Sequence, residues 1–364
     1  MTPKIAIILG TRPEIIKMSP IVKAFQNRAI DFFILHTGQH YSYELDKKMF
    51  EDLGVPAPKY NLHIGGEPYR KQVGFMIRDV SNILKKDRPG AIIVQGDTTS
   101  VLTGALSANK LGIPVAHHEA GLRSHDLSML EEENRIITDH ISDYLFVPTK
   151  DALKNLIEEG IDEEKVFLTG NTIVDTVIQN VKIAETKATK FKELGLIPKG
   201  YILASVHRAE NVDVKERLFC IIEGLEMTAK KIGISVVLPL HPRTSIRLKE
   251  FNIAIPSSIH CIDPVGFLDL LVLEKNAALI MTDSGGLQEE AFILNVPCVT
   301  LRDNTERPET IKYGANILAG TNPETIVQSA RVMMEKNLNL TTHDNPFGDG
   351  RAGERIVDIL LKSL

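Results

Sequence analysis

Small and hydroxylated residues follow an apolar segment in the second half of the chain, where they could hold a small anion. In "ALIMTDSGGLQEEAFIL", residues 278–294, we expect Ser284, Gly285 and Gly286 to form a tight turn before a helix. The glycines let the backbone approach an anion closely, and the start of a helix offers unpaired N–H groups. Glu290, about one turn into that helix, could hold a ribose diol. The alternative is an ordinary capped helix.

Basic residues follow the first apolar segment, where "GTRPEIIKMSP" begins a helix. Pro13 suits a first helical position, so we expect Arg12 in the N-terminal turn. Its guanidinium could pair with a diphosphate in a bidentate geometry, and Lys17 could assist from a position further along the helix. The alternative is a surface salt bridge between Arg12 and Glu14.

Carboxylates follow other apolar segments in the first half of the chain. Asp97 in "QGDTTS" is either functional or a helix cap, because Asp before two threonines is favourable cap chemistry. Glu119 in "HHEAGLRS" is not an obvious cap, so a functional role is favoured. In "LEEENR", residues 130–135, Glu131 and Arg135 are candidates, and we expect two of the three glutamates on a solvated helix face.

Histidines and arginines follow the apolar segments of the second half. His207 and Arg208 in "VHRAEN" would lie at the mouth of the proposed anion site, which favours a function for this pair. His241 in "LHPR" has a weaker case. Arg307 in "RDNTERPE" adds a further cation after another apolar segment.

Short apolar runs alternate with longer amphipathic segments along the whole chain. This alternation predicts an α/β fold with two doubly wound parallel sheets covered by helices on both faces. Ligands bind at the carboxyl ends of such strands, so two domains facing each other would place these side chains in an interdomain cleft. Arg12 could then reach a diphosphate bound on the second domain. The predicted strands are 5–9, 32–36, 91–95, 115–117, 144–147, 166–168, 201–206, 235–240, 259–262, 278–282, 298–301 and 316–318.

The length of 364 residues exceeds one ordinary core and predicts two domains. We expect a first domain over residues 1–170, a nucleotide-binding domain over 171–350 and a terminal helix over 351–364. The lysine-rich stretch 179–200 has no strand pattern and is typical of surface helix near a domain junction. The apolar stripe of the terminal helix would consist of Ile356, Ile359, Leu360 and Leu364.

Composition and charge exclude several classes of protein. A formal net charge of −5 argues against a nucleic-acid role, which needs a basic footprint. No run of about 18 apolar residues is present, so no membrane span is expected. The chain runs straight into a strand pattern, which leaves no room for a signal peptide. Cys220, Cys261 and Cys298 lack zinc-site or disulfide spacing, and cytoplasmic residence is the simplest inference.

Ten motifs in order resemble the non-hydrolysing UDP-N-acetylglucosamine 2-epimerase family. They are "GTRPEIIKMSP", "TGQH", "QGDTTS", "HHEAGLRS", "EEENR", "VHRAEN", "LHP", "TDSGGLQEEA", "RDNTERPE" and "NPFGDGRAGERI". The resemblance implies two Rossmann-like domains of the GT-B glycosyltransferase type, with the C-terminal helix packing back on the first domain. It also implies a homodimer.

The resemblance implies a reversible interconversion of UDP-GlcNAc and UDP-ManNAc, supplying ManNAc-type residues for surface polysaccharide. The C2 hydrogen of an acetamido sugar is not next to a carbonyl, so UDP must leave C1 first, or nearly so, before that proton becomes removable. The intermediate would be 2-acetamidoglucal, to which UDP returns. No cofactor and no metal are then required if protein cations neutralise the diphosphate. The partner is a UDP-sugar, with no nucleic acid and no membrane.

The matching motifs imply roles for individual residues. Asp97, Glu119 and Glu131 match acid/base carboxylates, without settling which removes and which returns the proton. His207 matches a functional histidine that would aid the leaving phosphate. The residues that would bind the UDP-sugar are Arg12, Lys17, Arg135, Arg208, Ser284, Gly285, Gly286, Glu290 and Arg307.

Two departures from the family pattern affect these expectations. Val265 and Leu270 stand where many bacterial members have Gln and Phe, so the uracil contact would use backbone groups more than side chains. Bacterial members are often activated by a second UDP-GlcNAc molecule, but Ser42 stands where those members have a second Gln, which leaves activation open. The residues that could contact a second molecule are Gln39, Arg70 and His241.

Three other functions remain alternatives. A GT-B glycosyltransferase would share both domains but need an acceptor pocket. A hydrolysing 2-epimerase would release free ManNAc and UDP, and a nucleotide-sugar sensor would bind UDP without catalysis. The dense set of carboxylates favours proton transfer, and therefore the non-hydrolysing epimerase.

Overall fold

The chain folds into two compact units, each built on one parallel sheet. The computed structural model describes residues 4–39, 43–66, 68–336, 338 and 345–364. The first unit comprises Met1–Ile178 together with Pro346–Leu364, and the second comprises Gln179–Asn345. The prediction placed a domain boundary at residue 170; the two units divide at 178/179, within a helix.

The first unit contains a seven-stranded parallel sheet. Its strands are β1 (Ile5–Leu9), β2 (Phe32–His36), β3 (Tyr60–Asn61), β4 (Ala91–Gln95), β5 (Val115–His118), β6 (Tyr144–Val147) and β7 (Val166–Leu168). The order β3-β2-β1-β4-β5-β6-β7 reverses its direction of growth between β1 and β4. The helices are α1 (Arg12–Asn27), α2 (Tyr43–Leu53), α3 (Tyr69–Asp87), α4 (Thr99–Asn109), α5 (Leu130–Ile141) and α6 (Lys150–Glu158), with a 3₁₀ turn at Glu163–Lys165.

The second unit contains a six-stranded parallel sheet, reached through α7 (Thr172–Lys187). Its strands are β8 (Tyr201–Ser205), β9 (Ser235–Pro239), β10 (Ile259–Ile262), β11 (Leu279–Thr282), β12 (Cys298–Thr300) and β13 (Asn316–Leu318). The order β10-β9-β8-β11-β12-β13 reverses between β8 and β11. The helices are α8 (Lys190–Glu193), α9 (Ala209–Val212), α10 (Lys215–Ile232), α11 (Pro242–Glu250), α12 (Phe267–Asn276), α13 (Gly285–Ile293), α14 (Pro308–Lys312) and α15 (Pro323–Glu335).

Continuous apolar strands form the core of each unit. Every residue of β1, β4 and β11 is buried, as expected for central strands of a parallel sheet covered on both faces. The predicted fold class of two doubly wound α/β sheets is confirmed, and each predicted strand is present with both ends within one residue. The pattern did not predict β3, because its two residues contain no apolar run.

The final helix, α16 (Ala352–Ser363), packs against α1 in the first unit. Gly353 lies so close to Pro20 that a Cβ there would come within 2.9 Å of the proline. The predicted apolar stripe needs correction. Ile356 and Leu360 are buried as predicted, and Val357 is buried beside them. Ile359 is only partly buried and Leu364 is 38% exposed. Leu364 follows the last helical residue, so it does not continue the helical face.

Three properties of the described residues bear on the excluded classes. No helix in the described ranges is long and apolar enough to cross a membrane. Within the same ranges, no group of three or more His, Cys, Asp or Glu side chains is placed to hold a metal ion. The three cysteines are free thiols.

Candidate active site

The predicted site residues of the first unit lie after β1, β4 and β5. These strands are neighbours in the sheet, and the reversal between β1 and β4 is where open α/β sheets bind ligands. Arg12 follows β1, Asp97 follows β4 and Glu119 follows β5. The sheet therefore gathers at one edge the groups that the sequence separates by many residues.

A buried carboxylate shapes the turn between β1 and α1. Glu14 accepts hydrogen bonds from the backbone N–H groups of Gly10 (2.5 Å) and Thr11 (2.8 Å) and from the hydroxyl of Thr98 (2.5 Å). Burial raises the pKa of Glu14 to about 7, while these hydrogen bonds oppose the rise. Arg12 is the first residue of α1 and partly exposed, as predicted. The turn requires glycine at position 10, because a Cβ there would collide with neighbouring hydroxyls.

Glu119 is the most strongly held of the candidate carboxylates. It is 4% exposed, and its backbone has φ of +67°, a conformation that costs a non-glycine residue energy and that clusters at functional sites. Its Oε1 accepts from Lys17 Nζ (2.5 Å) and Asn171 Nδ2 (3.0 Å), and its Oε2 accepts from Gln95 Nε2. Lys17, predicted to bind the nucleotide sugar, is thus a buried ion-pair partner of Glu119.

Asp97 is held by an arginine that was predicted to bind substrate. Arg135 is 3% exposed and pairs with Asp97 through one terminal nitrogen and with Glu132 (2.6 Å) through the other. The alternative of Asp97 as a helix cap is wrong, because Thr98 occupies the N-cap position of α4. The Asp97 side chain is 30% exposed and remains open to a ligand.

The three glutamates at the start of α5 differ in exposure. Glu133 is exposed and Glu131, the functional candidate, is half-buried, which agrees with the expectation that two of the three lie on a solvated face. Glu132 is 1% exposed and accepts from the backbone N–H groups of Ser124 (3.0 Å) and His125 (2.8 Å). The loop before α5 folds back onto this helix start, and its N–H groups need an acceptor.

A buried histidine with no predicted role joins the turns next to Asp97 and Glu119. His117 Nδ1 lies 2.7 Å from Asp139 Oδ1, and its Nε2 lies 2.8 Å from the carbonyl of Gly96. Asp139 also accepts from the N–H of Gly121 (3.1 Å). The partners are 18 to 22 residues apart, so no local motif reports the contact.

In the second unit, the predicted anion turn is the start of a helix. α13 begins at Gly285, with Ser284 as its N-cap accepting from the N–H of Leu287 (3.5 Å). The glycines therefore lie in the first helical turn rather than in a turn before it. The capped helix of the alternative interpretation is present, and anion binding stays a prediction. A Cβ on Gly285 would lie 3.9 Å from Arg307 Cζ, so a guanidinium stands beside the helix start. Backbone N–H groups with an adjacent cation are suited to phosphate.

Asp283 connects this helix start to the histidine turn after β8. It is fully buried and accepts from the backbone N–H groups of His207 (3.0 Å) and Arg208 (3.0 Å) and from Asn211 Nδ2 (3.1 Å). Its position directly after a buried strand was the available signal, but no role was predicted for its side chain. Asp283 fixes the two turns relative to each other.

His207 is held as a neutral imidazole. Burial lowers the pKa of His207, as do the charges of Arg208 and other nearby arginines, while Asp283 opposes the change. Its ring lies 5.4 Å from that of His241, which is exposed and accepts from the N–H of Arg243 (3.2 Å). A neutral His207 would act on a phosphate by donating a hydrogen bond rather than by its charge.

The remaining candidates of the second unit are mostly buried. Arg307 is 7% exposed and pairs with Glu289. Glu290 is 5% exposed and adjacent to Glu274, whose pKa is raised well above its usual range by burial and by the Glu290 charge. Val265 and Leu270, at the departures from the family pattern, pack against the apolar core.

The three residues predicted to contact a second UDP-GlcNAc molecule are divided between the two units. Gln39, in the first, accepts through Oε1 from the N–H (3.0 Å) and hydroxyl (2.7 Å) of Ser100. Arg70 is exposed on α3 of the same unit, whereas His241 belongs to the second. Ser42 lies outside the described residues.

Comparison with known proteins decides the family. Residues 23–361 match the family model described as UDP-N-acetylglucosamine 2-epimerase. The chain belongs to the UDP-N-acetylglucosamine 2-epimerase family. This confirms the resemblance seen in the motifs, whereas the roles of individual residues stay predictions.

Relatives within this epimerase family match over nearly their whole length. A UDP-N-acetylglucosamine 2-epimerase from Methanocaldococcus jannaschii is 53% identical over 98% of both chains. A crystal structure of the M. jannaschii UDP-GlcNAc 2-epimerase in complex with UDP-GlcNAc and UDP covers 99% of each chain, with a TM-score of 0.94 and 53% identity. A UDP-2,3-diacetamido-2,3-dideoxy-D-glucuronate 2-epimerase from Pseudomonas aeruginosa is 40% identical over 99% of both chains. The family thus includes relatives named for different sugars.

Proposed function

We propose that this protein is a non-hydrolysing UDP-GlcNAc 2-epimerase, an isomerase that interconverts UDP-GlcNAc and UDP-ManNAc. The observation that carries the proposal is the Glu119–Lys17 pair, a buried carboxylate at the edge of the first sheet in a chain of this family. A group held in this way is suited to moving a proton in a site shielded from water. The 2-epimerase from M. jannaschii supports the choice of substrate.

The proposed reaction is an elimination followed by a re-addition. The C1–O bond breaks, UDP takes the bonding electron pair, and a carboxylate accepts the C2 proton, which gives 2-acetamidoglucal. A proton then returns to the opposite face of C2 as UDP adds back to C1. Atoms and charge balance over the cycle, so no redox cofactor is consumed. Asp97, Glu119 and Glu131 are the candidates for the two proton transfers.

The second unit supplies most of the nucleotide contacts in this proposal. The first turn of α13, with Ser284, Gly285 and Gly286, receives a phosphate through its N–H groups. Arg307 stands beside that turn, and neutral His207 donates a hydrogen bond to the departing diphosphate. The proposed UDP-sugar ligands beyond these are Arg208, Glu290 for the ribose and Arg12.

Isotope exchange tests the proposed function. The protein is incubated with UDP-GlcNAc in D₂O without an acceptor, and the products are followed by proton NMR. The proposal expects deuterium at C2 in both epimers and no net accumulation of UDP. Release of UDP with free ManNAc would indicate the hydrolysing enzyme. If a parallel incubation gives exchange only with UDP-2,3-diacetamido-2,3-dideoxy-D-glucuronate, the substrate would be the sugar named for the P. aeruginosa relative. Absence of exchange with either sugar would exclude an epimerase.

We also infer that the protein forms a homodimer. Apolar side chains are exposed on two helices that both pack on α4, a surface that association could bury. They are Tyr69, Phe75, Leu130 and Ile137. Light scattering should give about twice the 40.4 kDa of one chain. A mass of one chain at micromolar concentration would contradict the inference.

We place the enzyme in the cytoplasm, where it would supply ManNAc-type residues for surface polysaccharide. Free thiols at all three cysteines support a reducing compartment. Cell fractionation with an antibody against the chain would test the location, and recovery in a secreted fraction would contradict it. Deletion of its gene should remove ManNAc from surface glycans.

A further inference from the structure

Three donors from three elements meet at the carboxylate of Glu119. Lys17 comes from α1, Gln95 is the last residue of β4, and Asn171 directly precedes α7. The two oxygens are shared among them, with Lys17 and Asn171 on Oε1 and Gln95 on Oε2. The carboxylate is therefore fixed from both sides, and its two oxygens are not equivalent.

The amide of Gln95 can face Glu119 in one orientation only. A carboxylate accepts and does not donate when ionised, so the NH₂ of Gln95 points at Glu119 and its Oε1 points away. That Oε1 is buried and has no hydrogen-bond partner in the described part of the chain. An unpaired buried carbonyl is unfavourable, whereas the NH₂ at the other end of the same amide satisfies a buried carboxylate. Gln95 is therefore best explained by its donation to Glu119.

Asn171 uses both ends of its side chain. Its Oδ1 accepts from the N–H of Ile173 (3.0 Å) in the first turn of α7, which fixes the amide orientation. Its Nδ2 donates to Glu119 Oε1 (3.0 Å). The side chain therefore anchors the carboxylate to the start of a helix. A residue that keeps the capping oxygen but lacks the NH₂ would separate these two roles.

The backbone of Glu119 makes this support necessary. With φ of +67°, the residue is in the left-handed region, and its side chain leaves the strand end at an unusual angle. Orientation that the backbone does not favour must be maintained by the surroundings. Removing one donor would let the carboxylate rotate. Small displacements of a group that transfers a proton have large effects on the reaction rate.

We propose that Gln95 and Asn171 are positioning residues, which orient the Glu119 carboxylate for proton transfer at C2 of the sugar. This inference rests on the proposed function, in which Glu119 is one of the proton-transfer groups. Lys17 on α1 is a charged group that faces Glu119 alongside these amides. His118 on β5 is neutral, because burial lowers its pKa to about 3.

Gln95→Leu tests the first donor. The variant should lower kcat about 10- to 100-fold with KM changed less than about threefold, because ground-state binding does not use the donor. The acid limb of the pH–kcat/KM profile should move up by about one pH unit, since an amide donor favours the ionised carboxylate. The unfolding midpoint should also fall by a few degrees, because a buried carboxylate loses one hydrogen bond. A merely structural glutamine would show the same fall in the midpoint with an unchanged kcat and an unshifted pH profile.

Asn171→Ser tests the second donor while keeping an N-cap oxygen. It should lower kcat about 10-fold and shift the acid limb in the same direction. The matched control is Asn322→Ser, because Asn322 caps α15 through its Oδ1 in the second unit. This control should leave kcat and the pH profile unchanged.

The wild type is assayed first, so that a failure of the proposed epimerase function can be distinguished from a failure of the positioning role. If wild-type protein gives no C2 exchange with UDP-GlcNAc, the proposed function fails. If the wild type is active and Gln95→Leu and Asn171→Ser both keep its kcat and pH profile, the positioning role is overturned. Loss of activity in both variants with no shift of the acid limb also overturns it.

Discussion

The edges of the two sheets hold their charges in different ways. At the edge of the first sheet, the candidate carboxylates lie against cations of the same unit, Glu119 against Lys17 and Asp97 against Arg135. At the edge of the second, a helix start with two glycines stands beside Arg307, and the nearby histidine is neutral. The first edge fixes acidic side chains in defined orientations, and the second offers donors to an anion. This difference divides the proposed work into proton transfer and nucleotide binding.

Loss of the Glu119 carboxylate should have the largest effect. Glu119→Gln should lower the rate of C2 exchange about 10²- to 10⁴-fold, because an amide cannot accept the proton. Binding of UDP should change little, since most of the proposed nucleotide contacts belong to the second unit. The control is Glu133→Gln, an exposed glutamate of α5, which should retain the wild-type rate. Equal losses in the two variants would remove the distinction between the two edges.

The buried Glu14 should make stability depend on pH through the first unit. Its pKa is about 7 in the folded protein and near 4.5 when unfolded, so the folded state binds more protons between these values. The stabilisation from the protonated form is full below about pH 4.5 and is lost as pH rises to about 7.

Urea unfolding of wild type and Glu14→Gln at several pH values measures this effect. The unfolding free energy of the wild type minus that of Glu14→Gln should fall by about 3 kcal/mol from pH 4.5 to 7 and then stay constant. A flat difference for Glu14→Gln would mean that its carboxyl ionises normally when folded.

Arg307→Lys should weaken binding of the UDP-sugar rather than slow the proton transfer. Lysine keeps the charge but lacks the planar fork, so KM for the UDP-sugar should rise about 10- to 100-fold with a smaller change in kcat. Arg331→Lys, at an exposed position on α15, is the control and should leave KM unchanged. A loss confined to kcat would place Arg307 with the proton-transfer groups instead.

Ser284→Ala should have the smallest of these effects. It removes the α13 cap and one hydroxyl donor, so we expect about 1 kcal/mol lower stability and a KM about three- to tenfold higher. Asn322→Ala removes the cap of α15 in the same unit and should match the stability loss without the change in KM. If both variants raise KM equally, the serine acts only through helix stability.

The sequence predicted the elements well and the partners of the site poorly. Strands were predictable because buried parallel strands are continuous apolar runs, and their ends located Asp97, Glu119 and Ser284 at the sheet edges. Which glutamate of the acidic run is buried was not predictable, because a loop brings N–H groups to Glu132. Lys17 and Arg135 each pair with a carboxylate of their own unit, which their motifs did not indicate, and their binding of the UDP-sugar stays a prediction.

The contacts that sequence could not reveal connect residues far apart in the chain. Gln95 lies 24 positions from Glu119, Asn171 lies 52 positions away, and Asp283 lies 76 positions from His207. Local patterns report periodicity and caps over a few residues. The packing of α1, β4, β5 and α7 determines which of these side chains meet.

The division of the chain has a consequence for biosynthesis. Residues 179–345 form a contiguous unit, whereas the first unit needs residues 346–364, whose helix α16 buries Ile356, Val357 and Leu360. A ribosome delivers all of the second unit before it delivers α16. The second unit can therefore finish folding during translation, while the first must wait, with part of the apolar surface of α1 uncovered, until the last turns of α16 emerge.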